Sequence, residues 1–133
     1  MASESRHIAV PVDRPPAEVY AYAADPAHLP QWAPGLGTGV EQEGGVWWVQ
    51  TPGGRARLDP APPNEYLVLD HDVTLPDGLR VHNPMRVLPL DDGSEVVFTL
   101  RRQPGMDDDA WEQDALAVTA DLARLKQILE QTA

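Results

Sequence analysis

Cysteine is absent from this chain of 133 residues, which excludes disulfides and thiolate chemistry and fits a cytoplasmic location. Long apolar runs are missing too. The N-terminus MASESRHIAV holds neither a signal peptide nor a membrane span. Basic residues are scarce: ten Lys and Arg against 21 Asp and Glu give a formal net charge of −11. With no basic patch among them, nucleic acid and stable membrane association are not expected. The 14 prolines and ten glycines demand many turns, which argues against a helical bundle. No repeat, linker or low-complexity tail divides the chain, and its length buries one core but not two, so a single domain over 1–133 is expected.

What is present reads as strand, helices, strands, helix. RHIAVPVD (6–13) alternates Ile8, Val10 and Val12 with more polar or small neighbours, the period of a strand. Pro15 and Pro16 open a helix that stops at Asp25, whose carboxylate can cap a second short helix running to Trp32. From 35 to 102, glycine-containing turns separate short β-rich runs, predicting six strands at 37–43, 46–51, 54–59, 65–75, 79–89 and 95–102. Trp111, Ala115, Val118, Leu122, Leu125 and Leu129 then recur at spacings of four and three, one apolar stripe on a long helix that starts near Asp107, Asp108 and Asp109. Only a sheet is large enough to receive that stripe.

Turn lengths predict which residues stand opposite one another. A loop at Pro76-Asp77-Gly78 sets Leu75 against Leu79, Val73 against Val81, His71 against Asn83, Leu69 against Met85 and Leu67 against Val87. The outer face then carries Thr74 opposite Arg80 and Asp72 opposite His82. A turn centred on Asp92-Gly93 sets Val87 against Phe98, Met85 against Leu100 and Asn83 against Arg102, so that His71, Asn83 and Arg102 form a polar row on an apolar face. A third hairpin at Pro52-Gly53 pairs Trp47 with Leu58, pointing inward, and leaves Trp48 beside Arg57 as an outer cation–π pair.

Several chemistries find no support. His7, His28, His71 and His82 lack the paired spacing of metal ligands, and no serine-nucleophile motif, phosphate loop or dinucleotide fingerprint occurs, so neither metal nor cofactor is expected. Gly35-Leu36-Gly37-Thr38-Gly39 is not followed by a helix and reads as a flexible start to a strand. Asp70-His71-Asp72 is no ready-made triad, because alternation turns both aspartates away from the histidine. His71 itself is either a hydrogen-bonding group or acid/base facing a ligand, or half of a self-contained pair with Asn83.

The stretches PPAEVYAYAADPAHLPQWAPG (15–35), LDHDVTLPDGLRVHNPMRVLPLDDGSEVVFTL (69–100) and DALAVTADLARLKQILE (114–130) resemble the SRPBCC superfamily, START-like proteins of helix-grip fold that include polyketide cyclases. The resemblance implies an α+β fold in which a curved antiparallel sheet of about seven strands wraps the C-terminal helix, leaving an apolar cavity for a small hydrophobic, aromatic or polyketide-like molecule. Leu69, Val81, Met85, Phe98 and Leu100 would floor it, with Trp47 pointing inward. Trp111, Ala115, Val118 and Leu122 would wall it, and Tyr20 and Trp32 would close its mouth. His71 and Asn83 would orient the ligand. In an enzyme of the cyclase or dehydratase kind, His71 would exchange a proton and Arg102 would steady negative charge. The rival is an interaction protein similar to the Aha-type chaperone activators, with a collapsed interior. The acidic charge and modest length weigh against lipid transfer, and the expected state is a monomer or homodimer.

Overall fold

The alternation in SRHIAVPV forms β1 (Ser5–Val12) in the computed structural model, which describes residues 4–34 and 39–131. Proline then ends the strand and opens α1 (Pro16–Ala23). The Asp25 carboxylate accepts a hydrogen bond from Ala27 N–H at 3.0 Å, starting a 3-10 turn (Pro26–His28) that continues into α2 (Leu29–Trp32). Both short helices expected after the first strand are therefore present. The glycine-rich segment from Gly35 to Thr38 lies outside the described residues.

Seven further strands follow: β2 (Gly39–Glu43), β3 (Val46–Thr51), β4 (Gly54–Pro60), β5 (His71–Thr74), β6 (Arg80–Asn83), β7 (Met85–Leu90) and β8 (Gly93–Arg101). The long α3 (Asp108–Gln131) closes the order. The described strands number eight rather than about seven, and they form two antiparallel sheets, β2-β3-β4-β5-β6 and β1-β8-β7, instead of one. Pro84 causes the split. It has no N–H to donate, so the expected strand 79–89 breaks there, and the chain passes from one sheet to the other. The Pro84 carbonyl accepts from Thr99 N–H at 2.8 Å, keeping the junction tied to β8.

The expected strand 65–75 is shorter still. Only His71–Thr74 forms ladder, although Leu69 N–H still donates to Met85 O and Val87 N–H to Leu67 O, at 2.8 and 3.1 Å, so the predicted pairing survives. Asn64 diverts the backbone. Its Oδ1 accepts from Tyr66 N–H and Val68 N–H, while its Nδ2 donates to Pro62 O and Val68 O, all within 3.0–3.1 Å. A short amide that engages neighbouring backbone in this way competes directly with a strand ladder. Leu67 bends with it into the left-handed region, at φ 60°.

Register is where the sequence reading succeeds and slips. His71 faces Asn83, Asp72 faces His82, Val73 faces Val81 and Thr74 faces Arg80, as predicted. Trp47 faces Leu58 and Val49 faces Ala56, also as predicted. The turn before β8 does not follow the prediction: Met85 pairs with Phe98 and Val87 with Val96, a slip of two residues. The loop is Asp91-Asp92, with Gly93 already paired to Leu90. Gly93 is needed for space, since a Cβ there would meet the Val12 carbonyl oxygen at 2.6 Å. A two-residue slip keeps side-chain parity, so Phe98 and Leu100 stay inward, but Arg102 no longer stands opposite Asn83. Trp48 stands opposite Arg57 as predicted, but the cation–π contact is not Arg57's. Arg57 donates to Asp59, and Arg55 places its guanidinium 4.5 Å from the Trp48 ring centroid.

Asp107 Oδ1 caps α3 through Ala110 N–H at 2.8 Å. Leu122, Leu125 and Leu129 pack with Val12, Val19, Met85, Val87 and Val96 in the main core, while Trp111 and Ala115 pack against Leu100. Among the described residues no helix is long and apolar enough to cross a membrane.

Because one side chain holds the 61–70 loop, Asn64→Ala should destabilise the fold by about 2 kcal/mol, the cost of stranding several backbone groups. Urea unfolding checks this, and an unchanged midpoint would show that the loop holds its shape without the amide.

Candidate functional site

Between α3 and the concave side of the sheets lies a half-open cavity of about 420 Å³. That volume falls within the roughly 300–1,000 Å³ typical of small-molecule sites. Its floor comes from β5, β6 and β8 through His71, Val73, Val81, Asn83, Phe98 and Leu100. Leu29, Trp32 and Ala33, in and just after α2, also line the cavity, as do Leu75, Leu79, Gln103 and Met106. A smaller recess of about 50 Å³ adjoins it, lined by Tyr20, Leu69 and Met85, with His71, Leu29 and Trp32 common to both.

His71 and Asn83 are the polar groups of the floor. They face each other in register, yet no hydrogen bond joins their side chains among the described residues. The Nδ1 of His71 lies 3.0 Å from the Leu69 carbonyl oxygen. A carbonyl can only accept, so Nδ1 carries the proton and the neutral ring presents Nε2 as a lone-pair acceptor. No partner for Nε2 occurs among the described residues. Burial pushes the His71 pKa below its ordinary 6.5, against smaller raising contributions from the Leu69 hydrogen bond and Asp70. Asn83 is only 9% exposed, and its amide likewise has no side-chain hydrogen bond among the described residues. Buried amides normally find a protein partner, so this one is a donor and acceptor held open at the cavity floor.

The two flanking aspartates are engaged on the opposite face, as alternation requires. Asp70 accepts from Met85 N–H at 2.9 Å and from Arg86, while Asp72 accepts from Arg80 and from His82 Nδ1, the latter at 2.6 Å. Their pKa values are lowered, although the largest single influence on Asp70 is burial, which acts upward and is outweighed by Arg86 and Met85 together.

Of the residues singled out from sequence, Val81, Asn83, His71, Phe98, Leu100, Val118, Leu122 and Trp32 line the main cavity, and Leu69, Met85 and Tyr20 line the recess. Trp47 packs into a separate cluster with Val49, Leu58 and Val73. Trp111 and Ala115 anchor the start of α3 against Leu100, outside the cavity lining. Arg102 is also outside it. The guanidinium donates to the Met106 carbonyl at 3.0 Å, to Asp108 at 2.8 Å and to Glu4 at 3.2 Å, fastening the β8–α3 loop. The polar row of three is therefore a pair.

Sequence reasoning missed the polar side of the helix wall. Asp114, Ala117 and Asp121 line the cavity with Val118 and Leu122. Steps of four and three from Val118 reach Asp114 and Asp121, and the same steps from those two reach Ala117, so the helical period that found the stripe could have found them too. Asp114 has no hydrogen bond or ion pair among the described residues, and burial raises its pKa.

Comparison with known proteins gives the same architecture. Residues 4–130 match the sequence profile of a family described as polyketide cyclase / dehydrase and lipid transport. An uncharacterized protein from Bacillus thuringiensis is similar in structure at a TM-score of 0.74 and 12% identity, over 95% of this chain and 98% of that one. Protein MLL2253 from Mesorhizobium loti reaches 0.73 at 16% identity, over 98% and 99%. DynU16, from the dynemicin biosynthetic locus, reaches 0.73 at 17% identity over 97% of this chain but 48% of its own. No curated protein sequence matches.

The tautomer is directly measurable. Long-range ¹H–¹⁵N NMR should show His71 protonated at Nδ1 and titrating below pH 6.5, and a midpoint above 6.5 would contradict the desolvated geometry. Because the unfolded chain takes up this proton near pH 6.5 and the folded chain resists it, the stability attributable to His71 is complete above that pH. It is lost as pH falls towards the lower folded value. In His71→Gln that part of the slope should vanish.

Proposed function

The chain belongs to the polyketide cyclase / dehydrase and lipid transport family, and on that premise we propose that it binds a small hydrophobic, aromatic or polyketide-like molecule in the cavity under α3. The single observation that carries this reading is the His71–Asn83 pair: two opposed polar side chains at an apolar floor, with no hydrogen bond between them. A pair kept for structure alone would satisfy itself, because an unmade buried hydrogen bond costs about 1–3 kcal/mol. A ligand hydroxyl or enol would donate to Nε2, and a carbonyl would accept from the Asn83 amide.

If the bound molecule is transformed, the chemistry this site supports is cyclisation or dehydration of a carbonyl compound. Neutral His71 can accept a proton from an acidic position at Nε2 and return it, while Leu69 O holds the ring in place through Nδ1–H. Arg102 is excluded from that step by its ties to Glu4, Asp108 and Met106 O. The open cavity also favours ligand binding over a surface-only role like that of the Aha-type chaperone activators.

Trp32 lines the cavity, so tryptophan fluorescence reports on occupancy. In the wild type, 2-naphthol should bind saturably and about fivefold more tightly than naphthalene, the worth of one hydrogen bond. His71→Ala should erase that difference, and Asn83→Leu should weaken a naphthyl ketone without lowering stability. No saturable binding of either probe, or unchanged affinities with reduced stability in both variants, would make the pair structural.

A further inference from the structure

The charge distribution around the cavity narrows its ligand further, an inference that rests on the binding reading above. Asp114, Ala117, Val118, Asp121 and Leu122 form one face of α3 and all line the cavity. Asp114 and Asp121 are seven residues apart, about 10 Å along the axis, too far to grip the same atom. Asp114 is half-buried and, among the described residues, has neither a hydrogen bond nor an ion pair. Nothing cationic answers it from the floor, where His71 is neutral and Asn83 uncharged.

Arg101 is the one arginine or lysine among the described residues of the lining. It belongs to the other side of β8. Leu100 points inward, so the next side chain points outward, and Arg101 donates to Ser5 Oγ at 3.2 Å beside its ladder partner Ser5. Arg102 is committed to Glu4 and Asp108. The wall therefore presents a carboxylate without a counter-ion to an apolar space that already contains the unpartnered, nine-tenths buried Asn83.

We propose that the cavity selects hydrophobic amines: an aryl or alkyl body on the Val81–Phe98–Leu100 floor, a polar group at His71 and Asn83, and a protonated amine at Asp114. Carboxylate ligands are disfavoured at the same position. Partial burial makes such a pair stronger than a surface ion pair, because less water screens it.

Three naphthyl probes of similar size test this at pH 7.5 by fluorescence titration: 2-(2-naphthyl)ethylamine, 2-naphthylacetic acid and 2-ethylnaphthalene. The amine should bind about fivefold more tightly than the hydrocarbon and at least about tenfold more tightly than the acid. In Asp114→Asn the amine should fall to the level of the hydrocarbon, whose own affinity stays unchanged. Asp121→Asn should retain the preference. If the hydrocarbon binds but the amine is no tighter than the acid, the amine inference fails while the binding reading stands. A preference that persists in Asp114→Asn belongs to the net acidic field and overturns the assignment. Failure of all three probes to bind overturns both.

Discussion

Leu122, Leu125 and Leu129 are almost wholly withdrawn from water, and their contact with the sheets is the constraint on which the cavity depends. Each such leucine contributes about 2 kcal/mol by burial. At the other end of α3, Trp111 and Ala115 are held against Leu100. The helix is thus clamped at both ends, and between the clamps it presents the small side chains of Ala117 and Val118 to the cavity. A helix fixed at two points over a curved sheet leaves space beneath its middle, and that space is the cavity.

The same arrangement sorts the polar groups. Alternation through 70–72 sends Asp70 and Asp72 to the outer face, where Arg86 and Arg80 neutralise them and His82 Nδ1 hydrogen-bonds Asp72. His71 goes inward. It is separated from both carboxylates, desolvated, and steered by the Leu69 carbonyl so that only Nε2 is offered to the cavity. The loop that supplies that carbonyl is irregular because Asn64 captures its backbone, so the kink and the orientation of the histidine share a cause. Arg102 serves the clamp rather than the cavity, closing the β8–α3 loop beside Trp111.

Much of this was legible from residues. The Pro76-Asp77-Gly78 loop fixed the His71–Asn83 pair, and the spacing of four and three fixed the buried stripe of α3, because hairpin length and helical period are local properties. The Asp92-Gly93 dipeptide misled because its glycine serves a distant contact, the Val12 carbonyl, and no turn rule encodes that. The division into two sheets at Pro84 and the truncation of the 65–75 strand by Asn64 are local effects that alternation of apolar residues does not register: a missing N–H, and an amide that captures its neighbouring backbone. Asp114 lies off the apolar stripe that the helical period picks out, and only the packing of α3 over the sheets brings a cavity to it.

Whether the space under α3 is a true void is most directly tested with Val118→Phe, which adds bulk at a position lining it. Urea unfolding should show stability unchanged to within about 0.5 kcal/mol, because the ring enters open volume, together with loss of naphthyl binding. A loss of about 1–3 kcal/mol, the usual cost of overpacking a filled core, would mean that the interior is closed and that there is no ligand cavity.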